Sequence, residues 1–431
     1  MQERVRNLVN NTLSTINGST SNNYRLLMIF FSFLLLQGLV TFGITIYEGL
    51  ELWGINNKTA WGVTIANFVF WIGLAHSGTL ISAILLLFKQ DWRNEINRAA
   101  EAMTLIAIIC SGIFLLIHTG RPWLSWLWII PYPNQFDLWV NFKSPLFWDF
   151  IAIVAYFVVS LIFWYLGLIP DLAFYKTKIN GKFKRSLYSF FGLGWKGSRQ
   201  QWASYNALYY IIAGIATALV ISVHSVIAMD FSLTALAGWH STIFPPYFVI
   251  GAIFSGLAML VILLHILRYA FGLEEFISDD HFDKINKMVY FISWLVFFSY
   301  FIEIFGTLFN DNLFEQDLLS LKLKSTIFWL MIVFNCLLPH LYMLRSFRRN
   351  TKISITISSL ILIGMWLERF IIVVFSQNTG LLSEAGVRYA PSIIELSIFL
   401  GSFGLFGLLY MLFVKHLPII PLWEVAKDEK K

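Results

Sequence analysis

The sequence predicts an all-α membrane protein of ten transmembrane helices: two four-helix bundles (spans 2–5 and 6–9), a flanking span at each end, and both termini in the cytoplasm. Three observations predict it. Hydrophobic residues make up 58% of the 431 residues and charged residues only 13%, with a mean hydropathy of +0.69; a water-soluble domain has no use for so much apolar surface. The apolar residues gather into ten runs, each long enough to cross a ~30 Å hydrocarbon layer at ~1.5 Å per residue. Lys and Arg divide unequally between alternate loops, which sets the orientation.

The first span, 25–47, follows a polar segment (1–24) rich in Asn, Ser and Thr. No small-residue cleavage site comes after it, so it reads as a retained helix and not a removed signal. Span 2 (61–88) carries Gly73/Ser77 and Gly78/Ser82, the small-xxx-small spacing of closely packed membrane helices, with His76 between them. Span 3 (97–118) ends in His118-Thr119-Gly120-Arg121-Pro122-Trp123. There Gly120 suits a left-handed residue past the helix end, and Pro122 cannot continue the helix. Span 4 (145–168) opens with the cap residue Ser144 and Pro145, placing Asp149 about one turn inside. Span 5 (202–228) holds His224, and the short loop after it holds Asp230 and His240. Spans 6 (242–271) and 7 (284–308) follow, with Glu303 on the latter, then span 8 (325–345). Span 9 (352–375) bears the adjacent pair Glu368-Arg369, whose side chains should diverge and pair with other helices. Span 10 (390–414) precedes a tail, 415–431. The domain reading is therefore a cytoplasmic segment 1–24, a membrane domain 25–414 and a cytoplasmic tail.

Loops on the amino-terminal side hold 24 of the 31 Lys and Arg, while Lys58, Arg121, Lys143, Lys322, Lys324 and Arg388 lie opposite and Arg369 lies inside span 9. This bias places both termini inside and accounts for the net charge of +6 by topology and anionic-lipid contact, not nucleic-acid binding. The basic run from Lys176 to Arg199 reads as the longest inner loop, solvated. A short echo links His76-Ser77-Gly78 and Ile96-Asn97-Arg98 with Phe254-Ser255-Gly256 and Ile285-Asn286-Lys287. Both pairs run in the same direction, as two parallel four-helix repeats would.

Ionisable groups at membrane depth are costly, so each is a site hypothesis. Spans 3 and 4 are antiparallel and joined outside, which sets His118 and Asp149 at similar depth near the outer interface. A histidine and a carboxylate there, with Arg121 nearby, suit either of two roles. They form a proton-accepting pair, as quinol oxidation requires, or an interfacial ion pair fixing two helix ends. Trp123, Trp126, Trp128 and Trp139 in the connecting loop make an aromatic belt or a lid over a flat ring. His76 is a structural hydrogen-bonding residue or part of a ligand or proton path. His224 and Glu303 extend the outer polar cluster. Cys110 and Cys336 lie in apolar runs and read as small core residues. No paired histidines for membrane haem, no haem-attachment motif, no cluster of cysteines and no metal motif are present, so electrons would move through a bound organic ligand and partner cofactors.

At these residues the chain resembles the NrfD/polysulfide-reductase-type quinone-interacting membrane subunits, and among them the ActC-type subunit of bacterial alternative complex III. The resemblance rests on Phe70 to Ile84, Ile96 to Met103, His118 to Trp123, Pro131-Tyr132-Pro133-Asn134-Gln135, Ser144 to Asp149, Leu168 to Ala173, Gly238 to Phe248 and Gly364 to Phe370. It implies a menaquinol- or ubiquinol-oxidising subunit in the bacterial inner membrane with no covalently bound cofactor of its own. Electrons would pass to iron–sulfur and multihaem cytochrome c subunits outside, then to a cytochrome c or a terminal oxidase. A paralogous ten-helix subunit is an expected partner and also the alternative assignment, in proton conduction or scaffolding; a quinone-linked subunit of a molybdopterin-type reductase is another. The family's histidine and aspartate match His118 and Asp149. Arg121, Trp123, His76 and His224 are the further quinol-binding candidates, and Glu101, Glu303, Glu368 and Arg369 the candidate proton path. The chain departs from the family in its short amino terminus and its 310–324 loop.

Overall fold

The computed structural model describes residues 3–18, 21–56, 59–125, 145–377 and 389–428. All regular structure among them is helical. We label the helices α1 (Glu3–Asn17), α2 (Asn22–Glu48), α3 (Val63–Leu87), α4 (Asn97–Ile117), α5 (Pro145–Tyr175), α6 (Lys182–Phe191) and α7 (Arg199–Ser232). They continue as α8 (Phe244–Phe271), α9 (Asp279–Leu308), α10 (Leu313–Lys324), α11 (Thr326–Met343), α12 (Thr351–Phe375), α13 (Ile393–His416) and α14 (Leu422–Asp428). Ten of these, α2–α5, α7–α9 and α11–α13, are long and apolar enough to cross a membrane. The ten spans therefore stand as the sequence predicts. Ser144, Trp126, Trp128, Trp139 and Pro131–Gln135 lie outside the described residues.

Burial separates the core spans from the lipid-facing ones. Every residue from Val63 to Thr79 on α3 is buried, as is most of α4 and α8. By contrast, α2 turns Leu26, Ile29, Phe33 and Leu36 outward, apolar surface that lipid covers. It is held by α13, where Gly38 meets Gly401 backbone to backbone and Gly404 lies on Leu34 and Leu35. With hydrocarbon outside, close packing through small residues replaces the hydrophobic drive.

The packing repeats. In the first half α3 pairs with α4, α4 with α5 and α5 with α7; in the second α8 pairs with α9, α9 with α11 and α11 with α12. Across the middle, α3 lies against α8, α7 touches both α3 and α8, and α12 touches both α8 and α3. The two helices carrying the Ser-Gly echo thus meet at the echo itself: a Cβ on Gly256 would run into the Ser77 side chain and the Leu74 carbonyl. Parallel helices in contact at equivalent positions are related by a pseudo-two-fold axis along the membrane normal.

Three π turns interrupt the spans, at Leu80–Ile84, Val333–Leu337 and Ile371–Phe375. They fall just after His76, around Asn335 and just after Arg369, and π turns of this kind gather at functional positions.

Segments read as loops or tails carry structure of their own. The basic Lys176–Arg199 run contains α6, with Phe183 and Phe190 exposed, so it is more than a solvated loop. The 310–324 segment contains α10. Residues 422–428 fold back as α14, where Glu424, 3% exposed, hydrogen-bonds buried Arg93 at 3.1 Å and Asn97 at 2.9 Å. Burial raises the Glu424 carboxyl's pKa above its ordinary value despite the opposing pull of Arg93 and Arg98. The two termini lie on one face of the molecule, with α1 packed on α13 and α14; we call this the terminal face and the opposite one the distal face.

Candidate functional site

The distal ends of α4 and α5 carry the predicted pair. Gly120 adopts φ +74°, the left-handed conformation that ends α4, and its N–H returns to the Ile117 carbonyl at 2.9 Å. Pro122 then opens a short 3₁₀ turn. His118 therefore sits at the C-cap of α4, half-buried, with Nδ1 3.5 Å from Thr64 Oγ1 on α3. Gly112 faces Ile153, which sets the register of the two antiparallel helices. Counting distally at ~1.5 Å per residue, Asp149 lies one turn above Ile153 and His118 six residues above Gly112. The two residues reach similar depth. Arg121 and Trp123 lie just beyond, both exposed.

The sequence did not anticipate the partner of Asp149. Asp149 is 3% exposed, and its carboxyl hydrogen-bonds that of Asp230. Asp230 lies in the last turn of α7, not in the hydrated loop where the apolar run seemed to end. A hydrogen bond between two carboxyls requires a proton on one of them, since an ionised carboxylate only accepts. A pair bonded in this way would share one proton and could take up a second. The other Asp149 oxygen, Oδ1, has no hydrogen-bond partner. A buried unsatisfied acceptor is costly and is suited to a hydroxyl donor.

Deeper in the core, His76 and His224 meet edge to face at 4.6 Å between ring centres. His76 also stacks on Tyr156 at 5.0 Å and contacts the Ile72 carbonyl through Nδ1 at 2.5 Å. The Tyr156 hydroxyl bonds Thr79 at 2.7 Å. Across the pseudo-axis, Arg369 stacks over Phe248 at 4.7 Å, and Phe248 in turn lies against His224. Glu368 and Arg369 do not diverge as their adjacency suggested: the guanidinium donates to the neighbouring carboxylate. Glu368 also accepts from Tyr300, whose oxygen accepts from Asn335 Nδ2 at 2.8 Å. The pairing follows from the medium, because two adjacent charges in an apolar bundle neutralise each other at little cost in position.

The remaining path candidates lie apart. Glu101 is near the terminal face, 3.3 Å from the Tyr209 hydroxyl, beside Arg98, which bonds Asp171 at 2.6 Å and the Gly167 and Pro418 carbonyls. Glu303 is at the distal end of α9, ion-paired with Lys322 of α10 at 2.6 Å. Among the described residues no group of three or more His, Cys, Asp or Glu could hold a metal ion. Cys110 and Cys336 are free and buried.

Comparison with known proteins adds the context. The family described as "Polysulphide reductase, NrfD" matches residues 51–380. The chain is 24% identical to the membrane subunit of a putative dimethyl sulfoxide reductase of Halobacterium salinarum, over 90% of this chain and 89% of that one. It is 23% identical to a selenate reductase subunit of Mesobacillus selenatarsenatis, over 92% and 94%. An Hdr-like menaquinol oxidoreductase integral membrane subunit of Archaeoglobus fulgidus is 21% identical, over 87% and 88%.

Proposed function

Because the chain belongs to the NrfD polysulphide reductase family, we propose that it is the quinol-oxidising membrane subunit of a respiratory oxidoreductase, with its quinol site at the distal ends of α4, α5 and α7. The observation that carries this reading is the Asp149–Asp230 carboxyl pair at a depth similar to that of His118. Oxidising a quinol breaks two O–H bonds and releases two protons with two electrons. His118 accepts one proton as a neutral imidazole. The carboxyl pair accepts the other, and Asp149 Oδ1, which has no hydrogen-bond partner, is the acceptor for the second hydroxyl. In this reading the exposed Arg121 and Trp123 meet the quinol at the distal surface, and His76 and His224 lie deeper in the bundle. The electrons leave for iron–sulfur clusters on a partner subunit.

The 24-to-6 division of Lys and Arg supports a terminal face in the cytoplasm, so protons from the distal site would be released outside a bacterial inner membrane. On the acceptor, the motifs from His118 to Trp123 and Pro131 to Gln135 favour an alternative complex III, with multihaem cytochrome c, a paralogous ten-helix subunit and an oxidase as partners. The relatives' names support a second assembly, the same quinol site feeding a molybdopterin-type reductase. Isolation of the native complex distinguishes them by cofactor: c-type haem in the first, molybdenum in the second. Proton conduction is the other function class, and the chain of groups from His76 through His224 and Arg369 to Glu368 and Tyr300 is the feature that favours it. The reading is tested by quinol turnover in assembled complexes carrying His118→Ala or Asp149→Asn. Loss of about 10²-fold or more is expected for each; full activity in both removes the site from α4 and α5.

A further inference from the structure

The pseudo-two-fold relation extends well beyond the Ser-Gly echo. At one constant spacing, Trp61, Thr64, Ile65, Phe70, Gly73, Ser77 and Gly78 recur as Trp239, Thr242, Ile243, Phe248, Gly251, Ser255 and Gly256. The side chains obey it too. Trp61 and Trp239 lie against each other with ring centres 5.3 Å apart, as equivalent residues on a two-fold axis must. His224 covers Gly73, and Arg369 covers Gly251, so α7 and α12 are equivalents. The Ile96-Asn97 and Ile285-Asn286 register, carried along α4 and α9, sets Thr307 at the position of His118 and Glu303 at that of Phe114.

The counterpart of the His118 site is therefore the space at the distal ends of α9 and α11, and it contains a cavity of about 310 Å³. Thr64, which touches His118 in the first half, has its equivalent Thr242 on the cavity wall, and Thr307 lines it as well. The volume is at the lower end of what a ring-shaped ligand occupies. Leu318, Leu319, Phe328 and Met331 supply apolar walls, while Thr242, Thr307 and Lys322 supply donors. Lys322 comes from α10, the helix inserted between α9 and α11, and is 7% exposed beside Glu303. The positions of His118 and Asp149 carry no proton acceptor here: a threonine replaces the histidine, and the start of α11, Thr326 to Met331, carries no carboxylate. The acceptors that do line the cavity are engaged: Glu303 pairs with Lys322, Glu315 accepts from the Gly238 N–H at 2.9 Å, and His240 Nδ1 contacts the Thr234 carbonyl at 2.8 Å.

We propose that this cavity is a second head-group site of the quinone class, one that binds the ring without oxidising it. A cationic donor and two hydroxyls suit the carbonyl oxygens of the oxidised ring. The proposal rests on the reading that the first half takes a quinol, and the test separates the two. The assembled complex is illuminated with a photoreactive azido-quinone, and the labelled peptides are mapped. Labelling is expected on α4 or α5 and, separately, on α9 or α10. Thr307→Phe, which fills the cavity, should abolish the α9–α10 label and leave the first; His118→Ala should not reduce the second. If Thr307→Phe fails to assemble, Thr242→Val at the exposed rim is expected to weaken the same label. Labelling confined to α4 and α5, or α9–α10 labelling that survives every cavity variant, overturns the second site and leaves the proposed function standing. Labelling at neither place overturns both.

Discussion

At the residue scale the proposed chemistry depends on one hydrogen bond between acids. Asp149 is buried with its carboxyl against that of Asp230, and in the proposed site the two accept a proton together. Asp230→Asn keeps a donor to Asp149 but removes the second proton site. Quinol turnover should fall by about tenfold or more, with its pH dependence altered as well, whereas a purely structural role would leave the pH profile unchanged. The first member of the pair was legible in the sequence, because Ser144-Pro145 fixed where span 4 begins. The second was not. Asp230 follows an apolar run that the hydropathy pattern ends two residues early, and its partner lies on a helix 81 positions away, a pairing that only packing reveals. Arg369 makes the same point in reverse: its place inside span 9 was plain, but its bond to the adjacent Glu368 depends on how the bundle closes around them.

At the scale of elements, short helices fasten the spans. The α14 carboxylate Glu424 sits between Arg93 and Asn97, and the α14 amide of Leu422 donates to Asp171 at 3.2 Å. Replacing Glu424 with Ala leaves the buried Arg93 guanidinium without its charge partner. The expected cost is about 3–5 kcal/mol, read as a lower unfolding temperature of the detergent-solubilised complex; an unchanged temperature would show that α14 is peripheral. Neither α14 nor α10 could be read from hydropathy, since each is too short and too mixed to register as a span. The α3–α8 contact makes a steric prediction. Gly256 has no room for a Cβ between Ser77 and Leu74, so Gly256→Leu should prevent assembly, while Gly214, with nothing near it, should accept Leu without loss.

At the scale of the whole molecule, two related four-helix units face each other across an axis, and the flanking α2 and α13 pack as a pair beside the first. Composition and charge made this architecture readable almost in full, because a bilayer allows few solutions to a chain this apolar. Orientation is testable by single cysteines: a membrane-impermeant thiol reagent applied outside intact cells should label position 308 and not position 187. The reverse pattern would place the proposed proton release inside. Oxidation of quinol at the distal ends of α4, α5 and α7 is tested most directly by a structure of the native complex with a quinol-site inhibitor bound. Density for the inhibitor's ring is expected within hydrogen-bonding distance of His118 and Asp149. An inhibitor that abolishes turnover yet occupies only a place remote from both residues would contradict that site.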